Sequence, residues 1–212
     1  MGGDMKQAAL RILLASALAV SPVHGGLAQV LTAAVQTGDS YYLEDLTWQE
    51  VAARLATGTG TILIPTGGTE QNGPHIALGK HNWIVRYTAG EIARQLGDAL
   101  AAPVISYVPE GSVAPPQGHM LFPGTISVSN ATFAAVLEDA ARSFKHHGFH
   151  TIVFLGDSGG NQETQQAVAA KLSKEWAKDG VVVASAGDYY TGLDALDFVR
   201  RSGAGGAKPN AH

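Results

Sequence analysis

Apolar and polar positions along this chain alternate between two rhythms. Largely apolar runs of four to six residues fall at Thr61–Pro65, Pro103–Val108, Thr151–Leu155 and Val181–Ala184. Each is short, bounded by glycine or polar residues and apolar on successive positions, which predicts strands buried on both faces. Between them the period lengthens to that of a helix. Thr47 followed by Glu50 reads as a capping box opening a short helix through Leu55. From Asn82 to Leu96, Val85, Ala89, Ile92 and Leu96 make one apolar stripe. Ser129 caps a helix carrying Phe133, Val136, Leu137, Ala140 and Phe144, which Gly148 closes. A last helix, from Gln162 to about Lys178, turns Val168, Leu172 and Trp176 inward. Thr125–Val128 predicts one further short strand, and Trp48, Trp83 and Trp176 are expected to pack.

Strand and helix in regular alternation predict an α/β fold, a layered α/β/α sandwich with a mostly parallel sheet. At 212 residues the chain suits one such domain. The first 28 residues read differently. Lys6 and Arg11 precede the apolar Ile12–Val20, and Gly26-Leu27-Ala28 supplies small residues at a cleavage spacing, so a signal peptide over 1–28 and export to the periplasm or outside the cell are expected. The domain is expected over 29–200, and 201–212, rich in glycine and alanine, reads as a loop-like tail.

Composition then removes several classes of function. A formal charge of -4 offers no basic footprint for nucleic acid. The absence of cysteine excludes disulfides, thiolate metal sites and cysteine nucleophiles. After signal cleavage no membrane association is expected, and a small molecule is the expected partner.

Polar residues gather in three loops that follow strands: Glu70–His81, Gln117–Gly124 and Gly156–Asn161. The carboxyl ends of parallel strands share one edge of the sheet, where ligands collect. Carboxylate with imidazole suits a divalent zinc, manganese or iron. Gly156-Asp157-Ser158-Gly159-Gly160 also fits a nucleophile elbow, which opens a serine hydrolase using Ser158. As a phosphate loop it lacks the lysine and the spacing.

The segments Pro65-Thr66-Gly67-Gly68-Thr69-Glu70-Gln71-Asn72-Gly73-Pro74-His75, His119-Met120-Leu121-Phe122-Pro123-Gly124-Thr125-Ile126-Ser127 and Gly159-Gly160-Asn161 together resemble the creatininase (creatinine amidohydrolase) family, in order and spacing, across about Leu46 to Val183. The resemblance implies a metal-dependent hydrolase of a non-peptide, in some cases cyclic, amide C–N bond, and a homo-oligomer. It also implies altered ligands. The family's first carboxylate matches Glu70, but its two histidines fall on Asn72 and Ser158, its bridging aspartate on His81, and its second carboxylate on Gly160. The replacements of ligand type give an expected metal set of Glu70, His81 and Asp157. His75 and His119 are then expected to act catalytically, and Asn72, Ser158 and Asn161 to hold substrate. The chain ends at Asn210-Ala211-His212, where the resemblance implies a further catalytic segment, so a truncated end is expected. A non-catalytic small-molecule-binding protein on the same scaffold is the alternative.

Overall fold

The computed structural model describes residues 39–191. The expected signal segment, the start of the domain at 29 and the tail lie outside the described residues. Within them the chain forms α1 (Trp48–Ala56), β1 (Thr61–Thr66), α2 (Lys80–Leu96), β2 (Ala99–Ala101), α3 (Asn130–His146), β3 (Thr151–Gly156), α4 (Gln162–Glu175), β4 (Val182–Ser185) and the short α5 (Gly187–Thr191). The four strands make one sheet in the order β2-β1-β3-β4, and every pairing is parallel.

The sheet explains the uninterrupted apolar runs. Ile62, Ile64, Ile152 and Phe154 pack on one side with Phe133 and Leu137 of α3 and Val168 and Leu172 of α4. Leu63 and Leu155 point the other way, onto Val85, Ala89 and Ala93 of α2. Both faces are covered, so both parities of the central strands are apolar, and the layers are helix, sheet, helix. The capping box forms as expected: Glu50 N donates to Thr47 Oγ1, and Thr47 N donates to Glu50 Oε2 at 2.7 Å.

Several expectations need correction. Pro103–Val108 is not a strand. The ladder beside β1 runs over Ala99–Ala101, and beyond Pro103, which has no N–H to donate, only Ile105 bridges Thr66. Thr125–Val128 likewise reduces to one bridge, Ile126 against Thr69. The buried stripe of α2 steps by four through His81, Val85, Ala89 and Ala93, while Leu96 is 55% exposed. On α3, Val136 faces outward and Ala141 takes the core position. Of the tryptophans only Trp176 packs inside, with the Arg142 guanidinium over its ring. Trp48 and Trp83 are 76% and 73% exposed.

The two small bridges matter more to the site than strands would. Ile126 N donates to Thr69 O, tying the long loop to the residue before Glu70. At the loop's base Glu110 N donates to Ser127 Oγ and Ser127 Oγ to Gly111 O, so the loop leaves and returns at one place.

Candidate active site

β1, the long loop and β3 deliver their polar residues to the carboxyl edge of the sheet, where a cleft of about 410 Å³ opens. Glycines set the approach. Gly68 lies against Glu110 Oε1, and a methyl group there would overlap that oxygen. Gly67 N–Cα packs on the start of α2, with the backbone of Asn82 2.9 Å from where a Cβ would stand. Asn82 Oδ1 accepts from Gly68 N at 2.9 Å, fixing the turn that follows β1.

Glu70 is the centre of the arrangement and is only 4% exposed. Its Oε1 is 2.9 Å from His81 Nε2 and its Oε2 is 3.1 Å from His119 Nε2. The other nitrogen of His81, Nδ1, is 2.8 Å from Asp157 Oδ2, and Asp157 Oδ1 accepts from the Tyr189 hydroxyl. Glu110, 5% exposed, completes the floor, and among the described residues no N–H or hydroxyl group donates to its Oε1.

The expected trio of Glu70, His81 and Asp157 does meet, but around a ring and not around a point. Both nitrogens of His81 lie against carboxylates, Nε2 on Glu70 and Nδ1 on Asp157, so the ring ties the two together. Burial alone would lower the pKa of His81, but the hydrogen bonds to Asp157 and Glu70 outweigh it and raise it. His81 is therefore a clamp between β1's loop and β3's loop. Three donor atoms converge elsewhere: Glu70, Glu110 and His119 each offer one, all within 4.8 Å of one another.

The chemistry of those three donors fits a divalent ion. The carbonyl of Gln71 lies 3.1 Å from His119 Nδ1. A carbonyl only accepts and is nearer than the Gln71 amide nitrogen at 3.5 Å, so the contact favours hydrogen on Nδ1 and leaves Nε2 as the nitrogen that can ligate. Two buried carboxylates also need something positive between them, which in its absence is a proton. Burial, the hydrogen bond to Glu70 and its charge push Glu110 up to about 9. Burial would raise Glu70 as well, but the hydrogen bonds from His81 and Glu110 and the charge of His119 bring it to about 2. Carboxylate oxygens and an imidazole suit zinc or manganese.

The remaining expected residues divide. Asn72 and Ser158 line the cleft. Asn161 is fully buried and gives its Nδ2 to Thr66 Oγ1 and Gly67 O, holding the end of β1 and not lining the cleft. His75 is exposed on the first loop and does not line the cleft either. A catalytic role for His75 and substrate contact by Asn161 have no geometric support. Nor has the nucleophile elbow: Ser158 has extended backbone (φ -132°, ψ 142°) and not the strained turn that motif requires. Glu110 and Lys80 are cleft residues that pattern reading missed. Glu110 carried a usable signal, an acid at the mouth of a long loop two residues after the apolar Val108.

A family model described as creatinine amidohydrolase matches residues 44–206. The mycofactocin precursor peptide peptidase of Mycolicibacterium smegmatis is 35% identical over 132 residues, which cover 60% of this chain and 51% of that protein. Creatinine amidohydrolase of Pseudomonas putida is 29% identical over 116 residues, 55% of this chain and 44% of that one. The chain thus spans about half the length of these curated relatives. A crystal structure of creatinine amidohydrolase superposes with a TM-score of 0.64 at 25% identity, covering 76% of this chain and 63% of the other.

Proposed function

From the premise that the chain belongs to the creatininase family, we propose that it is a metal-dependent hydrolase of an amide C–N bond in a small molecule, linear or cyclic, with one divalent ion held by Glu70, Glu110 and His119. The observation that carries this reading is the buried donor set at the floor of the cleft, where among the described residues no N–H or hydroxyl group donates to Glu110 Oε1. A buried carboxylate oxygen left without a partner is costly unless something fills its place. The likeness to an amidohydrolase and a peptidase supports the bond type.

An ion at this position supplies Lewis acidity toward a carbonyl and lowers the pKa of a water. The chain's own residues do the rest. Glu70 cannot swing, because His81 holds one of its oxygens and is itself held by Asp157. The Gln71 carbonyl, 3.1 Å from His119 Nδ1, favours the tautomer that leaves Nε2 toward the cleft. Asn72, Ser158 and the backbone of Gly159 and Gly160 form the wall along which a substrate would lie. In the reaction the carbonyl carbon takes the hydroxyl of water, and the departing nitrogen takes its proton.

This site is a rewritten one relative to the resemblance described above, with Glu110 and His119 serving where Asn72, Ser158 and Gly160 offer no strong ligand. The reading includes export, supported by the charged, apolar and small-residue order of Met1–Ala28, and a homo-oligomer, for which the exposed Trp83 and Tyr87 of α2 offer apolar surface. The mass and the column volume of protein recovered from the periplasm check both.

The enzymatic claim is tested by hydrolysis of a panel of small lactams and linear amides. Activity is expected to vanish with chelator and return with zinc or manganese. Turnover indifferent to chelator would contradict metal dependence, and no ion bound with no turnover would favour the binding-protein alternative.

A further inference from the structure

Among the described residues, Lys80 is the one lysine or arginine lining the cleft. Among the described residues it makes no ion pair, although carboxylates are plentiful nearby. Its Nζ is fixed instead by a neutral group, donating to Asn72 Oδ1 at 2.6 Å. An ammonium has three N–H donors, so two more are available. Asn72 is itself oriented, since its Nδ2 donates to Glu70 O.

The placement of Lys80 is locally unfavourable. It is the first residue of the 17-residue α2, whose N-cap is Gly79 without a side-chain cap and whose first turn carries no acid. A cation there faces the positive end of the helix dipole. Residues that break a local rule without compensation inside the fold tend to serve a ligand. Here the missing partner is an anion in the cleft. One ammonium suits a single negative charge; the second charge of a phosphate dianion would meet no further lysine or arginine among the described lining residues.

We propose that Lys80, steadied by Asn72, seats a carboxylate of the substrate, so that the amide hydrolysed here carries a free carboxylate group away from the scissile bond. The proposal rests on the reading of the cleft as the active site, but not on the ion. Lys80 is a specificity residue in this scheme and Asn72 a positioning residue.

The test uses the full chain and two near-isosteric probes, N-acetylglycine and N-acetylglycinamide, titrated calorimetrically. In chelator-treated protein, where no ion can capture a carboxylate, N-acetylglycine is expected to bind at least about tenfold tighter than the amide. Lys80→Met is expected to abolish the preference, and Lys80→Arg to keep part of it. Equal binding of the two probes, binding of neither, or a preference unchanged in Lys80→Met would overturn the proposal. A preference that appears only with zinc and survives Lys80→Met would assign the carboxylate to the ion, which overturns the anchor while leaving the metal reading standing.

Discussion

Glu110 and Glu70 show how two side chains of one type acquire opposite properties. Both are buried, but Glu70 faces His81 and His119, whereas Glu110 faces Glu70. The proton therefore stays on Glu110, raised to about 9 and well above the ordinary carboxylate range, while Glu70 is held at about 2. A group raised in the folded state contributes stability that is complete below its unfolded pKa and fades as pH climbs. His81, also raised, acts in the same direction. Chelator-treated protein is expected to lose melting temperature steadily as pH rises from about 5 to about 9. Glu110→Gln, which mimics the neutral acid, is expected to shrink that loss, and calorimetry at several pH values checks it. A flat profile would refute the shared proton. None of this was readable from the sequence. Glu70 and His81 stand out because they share a loop with other polar residues, whereas Glu110 acquires its partner only when the long loop folds back onto β1.

At the scale of elements, the site depends on how β1 hands the chain to α2. Thr66 is buried at the strand's end and accepts hydrogen bonds from Asn161 and Gln165. Gly67 then lets the first turn of α2 approach so closely that His81, at the head of the buried stripe, reaches Glu70 on one side and Asp157 on the other. Gly67→Ala would press a methyl against the Asn82 side chain and backbone. It is expected to destabilise the protein by about 1–3 kcal/mol, as overpacking does, and to loosen the ion along with the helix. Urea denaturation with and without zinc measures both. Wild-type stability in the variant would show that the close approach is dispensable. Helices and central strands were legible because burial on one stripe or both faces leaves a period in the sequence. The segments after Pro103 and around Thr125 misled because they look apolar and extended, yet each contributes a single bridge. Bridges of one residue leave no period, and these are what bring His119 to Glu70. Trp48 and Trp83 misled for another reason: large apolar residues need not be inside.

For the whole molecule, a parallel sheet covered on both faces gathers three loops at one edge, and that topology was predictable from alternation alone. Convergence of the first and third loops was also expected, and His81 joins them. What the alternation could not show is which donors would point at a common centre, because that depends on side-chain direction within loops. On the proposed reading, Asn72, His81 and Ser158 stand where the resemblance implies other metal ligands. The structure places another carboxylate, Glu110, and another imidazole, His119, within reach of the retained Glu70. The central claim is thus that the ion has a new seat. The most direct test is to count metal in the purified full-length protein and in Glu110→Gln by elemental mass spectrometry, after loading with zinc and removal of excess. The expected result is one ion per chain in the native protein and essentially none in Glu110→Gln, with His81→Gln weakened by about 10–100-fold in affinity, as for a group that orients a ligand. Native protein that binds no ion, or Glu110→Gln that keeps its full complement, would contradict it.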